Sequence, residues 1–199
     1  MCIYSIYGYG KGKTESAIGI TVRAIANHHK VLFAQFLKDG KSSEVDFLKM
    51  FREVTFLSTG TTGIVLPKNK QDKDKEAVLD LYNKICRRIT TCEYNLLVLD
   101  EILVALDMEL ISISLFKRLI EACRKNKVDV YMTGRIRNGI IRSYVQQLSD
   151  CATNAYCVKH MFDTYCKKCD NTYPYYFTYC PECGEELVVS KPCKKGRDF

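Results

Sequence analysis

Gly8-Tyr9-Gly10-Lys11-Gly12-Lys13-Thr14 carries the residue types that hold a polyphosphate. Glycines at alternate positions remove the Cβ atoms that would keep backbone N–H groups from closing around an anion. A helix opening at Thr14 turns its positive dipole end inward. Lys13 would then meet the phosphates, and the Thr14 hydroxyl a bound Mg²⁺. The strict pattern G-x-x-x-x-G-K-[ST] is not met, because Tyr7 stands where its first glycine belongs and the glycine comes one place later, at Gly8.

Magnesium opposite a phosphate loop needs an acidic partner, and Asp100-Glu101 supplies one at the end of the apolar run Leu96-Leu97-Val98-Leu99. Neighbours on a strand point opposite ways, so the spacing leaves open which carboxylate faces the metal. A second kind of chemistry sits near the C-terminus. Cys166-Lys-Lys-Cys169 and Cys180-Pro-Glu-Cys183 are two Cys-x-x-Cys knuckles separated by ten residues. Two such knuckles close a tetrahedral four-sulfur cage with no open position, which is a structural site for Zn²⁺, with Fe the alternative in the same geometry. The aromatic run between them, Tyr173 to Tyr179, contains no basic residue, so it reads as packing for the ribbon rather than a surface for nucleic acid.

These groups need elements to hold them. Ile3 to Tyr7 is a strand ahead of the loop, and Ala17, Ile18, Thr21, Ala24 and Ile25 share one face of the helix behind it. That helix ends at Asn27-His28-His29, whose histidines read as surface groups. Val31 to Leu37 is a buried strand, Ser42 caps a short helix through Phe51, and Val54 to Leu57 is a third strand. Ser58 to Glu76 has no periodicity and reads as a loop over the sheet edge. Ala77 to Ile89 is a clean amphipathic helix feeding Leu96 to Asp100. Ser112 opens a further helix, Val128 to Met132 is a strand ending in Thr133-Gly134-Arg135, Ile140 to Leu148 is helical, and Cys151 to Val158 can supply a last strand. Strands alternating with helices predict an α/β fold with a mostly parallel sheet covered on both faces and ligands at the carboxyl ends of the strands. The predicted organisation is a nucleotide-binding domain over 1–159, a four-cysteine ribbon over 160–189 and a basic, disordered tail over 190–199.

The chain has 199 residues, 47% of them apolar and 27% charged, which suits one α/β domain with a small appendage. Thirty basic against 23 acidic residues give a formal charge of +7, but the lysines are scattered and read as solvated surface. No apolar run approaches the roughly 20 residues that cross a bilayer, and the start lacks a basic signal region. A cytoplasmic location is expected. Eleven cysteines in a reducing compartment do not form a disulfide framework, and Cys2, Cys86, Cys92, Cys123, Cys151 and Cys157 read as small core hydrophobes.

From Ile3 to about Asp163 the chain resembles the P-loop ATP:corrinoid adenosyltransferases that act on cob(I)alamin or cob(I)yrinic acid a,c-diamide. The resemblance rests on Gly8 to Thr14, Gln35-Phe36-Leu37-Lys38, Thr59-Gly60, Leu99-Asp100-Glu101, Thr133-Gly134-Arg135 and Lys159-His160-x-Phe162-Asp163. It implies transfer of the 5′-deoxyadenosyl group of ATP to the cobalt of a reduced corrinoid, with triphosphate leaving. Gly8 to Thr14 and Arg135 would bind ATP, and Lys13, Thr14 and Glu101 would carry the catalysis. Thr14, Asp100 and Glu101 would hold Mg²⁺, and Gln35, Lys38, Thr59, Gly60 and Thr61 would face the corrinoid. It implies also an electron-donating reductase and a homodimer, while the residues themselves point to no nucleic acid or membrane as partner. In the family a G-F-T-W pattern follows the Thr-Gly, whereas this chain has Thr61 and Gly63 there and no Trp. The rival is a phosphotransferase similar to zinc-bearing thymidine kinases, against which stands Asp100-Glu101-Ile102-Leu103 where those show D-E-A-Q-F.

Overall fold

Short apolar strands, of which Val31–Gln35 and Leu96–Asp100 are buried at every position, alternate with helices most of which have one apolar face, and a parallel sheet with helices on both sides satisfies both. The computed structural model describes residues 1–60, 72–91 and 93–155, and, toward the C-terminus, 164–166, 168, 171–173, 179, 183, 185, 186, 188 and 189. Its first unit runs β1 (Ile3–Tyr7), α1 (Lys13–Ala26), β2 (Val31–Gln35), α2 (Ser43–Lys49), β3 (Val54–Ser58) and α3 (Asp72–Thr91). It continues with β4 (Leu96–Asp100), α4 (Ile102–Asp107), α5 (Ile113–Lys125), β5 (Asp129–Gly134), α6 (Gly139–Leu148) and β6 (Cys151–Asn154).

The six strands form one sheet in the order β3-β2-β4-β5-β1-β6, parallel throughout. Alternation along the strands feeds two cores. Leu32, Ala34, Leu97, Leu99, Val130 and Met132 meet Val78, Leu81 and Ile85 of α3 and Phe116, Leu119 and Ile120 of α5. On the opposite face Phe33, Val98 and Tyr131 meet Ala17 and Ala24 of α1 and Leu48 of α2. Each fully buried Leu or Phe contributes about 1.5–3 kcal/mol relative to exposure.

Several boundaries differ from the sequence reading. β2 stops at Gln35 because Leu37 takes a left-handed backbone, φ 57°. α4 was not expected: Ile102 to Leu106 is apolar throughout and shows no helical period, since all but Val104 are buried. β6 ends at Asn154, and 156–158 lie outside the described residues. Cys123 is buried and Cys2 and Cys86 are half-buried, but Cys151 is exposed, which corrects its assignment to the core. Its strand is one edge of the sheet, paired with β1 alone among the described strands. Cys92 and Cys157 lie outside the described residues.

A second compact unit comprises the chain from Ala155 onward together with Tyr9–Lys11. The Gly10 N–H donates to the Ala155 carbonyl at 2.8 Å. Here β7 (Thr164–Cys166), β8 (Asn171–Tyr173) and β9 (Val188–Val189) form an antiparallel sheet in the order β8-β7-β9. An antiparallel bridge, Tyr179 to Glu186, brackets the turn that carries Cys183.

Candidate functional site

The strand order sets the carboxyl ends of β2, β4, β5 and β1 in one row. Gln35 is in register with Asp100, and Tyr7 with Gly134. Beyond β1 the chain turns at Gly8, φ 121°, whose N–H donates to the Gly134 carbonyl at 3.1 Å. Gly12, φ 92°, then caps α1 with no side chain of its own, so its first turn presents backbone N–H groups and Lys13. Lys13 is buried, and burial, with Arg135 nearby, pulls its ammonium below the ordinary lysine range while Glu101, Asp100 and Glu15 oppose that. Arg135 itself is exposed.

Asp100 is the hub. Its side chain is fully buried, and it receives hydrogen bonds from four residues. Thr133 Oγ1 donates to Oδ1 at 2.6 Å and Gln35 Nε2 to Oδ2 at 3.0 Å. Thr14 Oγ1 donates to Oδ1 at 3.1 Å. Lys38 Nζ lies 3.0 Å from Oδ2 and 3.1 Å from Thr14 Oγ1. A buried carboxylate is costly unless paired and hydrogen-bonded, and here it is both.

The next residue, Glu101, takes a left-handed backbone at φ 62°, which in a residue other than glycine costs about 1–3 kcal/mol. Its N–H donates to Thr133 Oγ1 at 3.0 Å. The Thr133 hydroxyl thus ties both acidic residues to β5. Burial first, then the charge of Asp100, pushes the Glu101 carboxyl above the usual range, while Lys38, Lys13 and Arg135 pull it down.

Of the residues expected in the site, Lys13, Thr14, Asp100 and Glu101 come together at one sheet edge. Gln35 and Lys38, expected to face the corrinoid, direct their polar groups to Asp100. Thr59 holds the same segment: its N–H donates to the Gln35 carbonyl and its hydroxyl to the Lys38 carbonyl, both at 3.2 Å. Gly60 is exposed with φ 68°. Thr133 was seen only as part of a polar strand end, and nothing in its spacing marks it as the support of Asp100.

Thr14 and Asp100 offer hard oxygen donors that already gather around a cationic group, the Lys38 ammonium, and such a donor set suits Mg²⁺. Thr61, Cys169 and Cys180 lie outside the described residues, as does the Thr61–Gly63 stretch. Cys166 ends β7 and Cys183 lies in the bracketed turn. Among the described residues no group of three or more His, Cys, Asp or Glu side chains is placed to hold a metal.

Residues 1–170 match the family described as ATP:corrinoid adenosyltransferase BtuR/CobO/CobP. A corrinoid adenosyltransferase from Pseudomonas aeruginosa is 28% identical over 157 residues, 78% of this chain and 74% of that protein. The crystal structure of the flagellar accessory protein FlaH from Methanocaldococcus jannaschii aligns with a TM-score of 0.50 at 10% identity, covering 77% of this chain and 70% of that one. At that identity the likeness is one of fold.

Proposed function

The chain belongs to the ATP:corrinoid adenosyltransferase family, and from that premise we propose how its own residues perform the reaction. ATP donates its 5′-deoxyadenosyl group to the cobalt of a reduced corrinoid. The Co(I) electron pair attacks C5′, the C5′–O bond breaks, its electrons leave with triphosphate, and cobalt ends as Co(III). Co(I) is itself the nucleophile, so no protein base is needed. The kinase alternative is not favoured, as the family match runs through both the phosphate loop and Asp100-Glu101.

In our reading the loop Gly8–Thr14 takes the triphosphate, Lys13 neutralises the charge that develops as it departs, and exposed Arg135 reaches the same anion. Burial favours this use of Lys13, because a poorly solvated ammonium gains more from an anion than a hydrated one. Thr14 and Asp100, with Glu101 beside them, would hold Mg²⁺, which when bound spreads positive charge over the phosphate oxygens. Thr133 and Gln35 fix the Asp100 carboxylate. Thr59, Gly60 and Thr61 are proposed to face the corrinoid. The observation that carries this reading is the convergence of Lys13, Thr14 and Asp100 at one sheet edge in a chain of this family.

For the remaining residues we propose a four-cysteine Zn²⁺ ribbon over 160–189 and a basic tail over 190–199. The support is the spacing of Cys166, Cys169, Cys180 and Cys183, with β7–β9 and the bridged turn at Cys183 as the ribbon's hairpins. No helix among the described residues is long and apolar enough to cross a membrane. A cytoplasmic homodimer served by a separate reductase is proposed from the family alone.

The test is to incubate the protein with ATP, Mg²⁺ and chemically reduced cobalamin and follow the visible-spectrum change of a new Co–C bond. Formation of that bond is expected, and Lys13→Ala should abolish it. ADP formation with thymidine, and no Co–C bond, would favour the phosphotransferase instead.

A further inference from the structure

A lysine ammonium sits against side-chain oxygens that our reading assigns to magnesium. Lys38 Nζ lies 3.0 Å from Asp100 Oδ2 and 3.1 Å from Thr14 Oγ1, in contact with two of the oxygens that our reading assigns to the metal. Thr14 Oγ1 spends its proton on Asp100 and offers its lone pair to Lys38. The Asp100 carboxylate is fully buried, whereas the lysine side chain retains 37% of its exposure and opens to solvent.

The backbone holds the lysine there. Leu37 takes a left-handed conformation, φ 57°, unfavourable for a residue with a side chain, within a bend that runs into Lys38. Phe36 N–H donates to the Asp100 carbonyl at 2.9 Å, and Thr59 bonds the Gln35 and Lys38 carbonyls. Strain of that kind persists only where the surroundings over-determine it, so the approach of Lys38 to Asp100 is built into the fold.

We infer that Lys38 is a resident cation that holds the magnesium seat between Thr14 and Asp100 until nucleotide arrives, so that the site is loaded by exchange. The inference rests on the assignment of Thr14 and Asp100 to Mg²⁺. A divalent ion offered only protein oxygens must give up tightly held water and also expel a tethered ammonium. With triphosphate oxygens completing its shell, the balance turns, and Lys38 is freed into the solvent-facing side of the site. The exchange spares the buried carboxylate any interval without a counter-charge, and it couples metal affinity to nucleotide in both directions.

The probe is Mn²⁺, titrated into the full chain by electron paramagnetic resonance, with and without ATP. Without nucleotide, Lys38→Met should bind Mn²⁺ roughly tenfold more tightly than wild type, from the lost competition of one unit charge. Lys38→Arg, which keeps the charge, should stay weak. With ATP the gap between Met and wild type should shrink. Lys38→Gln, which keeps a donor for Asp100 but no charge, serves in place of Met should that variant melt early, with the same expected gain. Equal Mn²⁺ affinity of wild type and the neutral variants without ATP would overturn the exchange alone. Mn²⁺·ATP binding untouched by Asp100→Asn would overturn the metal assignment, and the exchange with it.

Discussion

At the scale of single residues, the site depends on groups that never need touch a substrate. Thr133 Oγ1 accepts from the Glu101 N–H and donates to Asp100 at 2.6 Å. Thr133→Val keeps the shape and removes both bonds, so it should cost roughly 1–3 kcal/mol in denaturant unfolding. Mn²⁺·ATP affinity should fall roughly 10–100-fold, the usual loss when the support of a metal ligand is removed. Unchanged affinity would show that Asp100 is positioned without it. Cys123 is a different case, since burial pushes its thiol up to about 12. The folded state therefore keeps this proton longer than the unfolded chain. The resulting stability is whole below the ordinary thiol pKa of about 8.5 and is lost as pH rises from there toward 12. Cys123→Ala opens a cavity and should melt earlier than wild type at pH 7. That gap should narrow by pH 10.5, and a constant gap in thermal melts would refute the buried-thiol account.

At the scale of elements, two glycines at positive φ separate strain from crowding. A Cβ on Gly134, φ 148°, would lie 2.8 Å from both Leu103 Cβ and Val104 N. It would push α4 away from β5 at the point where Gly8 bonds the Gly134 carbonyl. Gly134→Ala should therefore cost roughly 2 kcal/mol or more, a drop of about 4–8 °C in Tm, and weaken ATP binding. A Cβ on Gly12, φ 92°, would meet nothing within 4 Å. Gly12→Ala should cost only the left-handed strain, about 1–2 kcal/mol, and so melt above Gly134→Ala. The reverse order in calorimetry would mean that the turn at Gly134 yields. Leu99, fully buried in β4 beside Asp100, should lose about 2–5 kcal/mol on change to Ala.

At the scale of the whole molecule, Lys13, Thr14, Asp100 and Glu101 all belong to the first unit, and the task we propose for the cysteine segment is structural. Zinc held by Cys166, Cys169, Cys180 and Cys183 would replace the apolar core that some thirty residues cannot build. Elemental analysis of the purified protein should find one Zn²⁺ per chain. Cys180→Ser should release it while leaving ATP affinity within about twofold, well inside the scatter of a surface change. Loss of ATP binding with the metal would make the cysteine segment part of the site. The sequence by itself determined most element types, though not α4 or the first turn of α3, together with the parallel class and the glycine spacing from Gly8 to Gly12, because hydrophobic period and glycine spacing are local properties. It also brought Asp100-Glu101 and Thr133-Gly134-Arg135 to strand ends. Only the tertiary structure decided that β5 stands between β1 and β4, that Asp100 is the carboxylate facing Thr14, and that Gln35 and Lys38 turn toward it. Strand order is set by the crossovers and a side chain's direction by a single dihedral such as that of Leu37, and neither leaves a period in the chain.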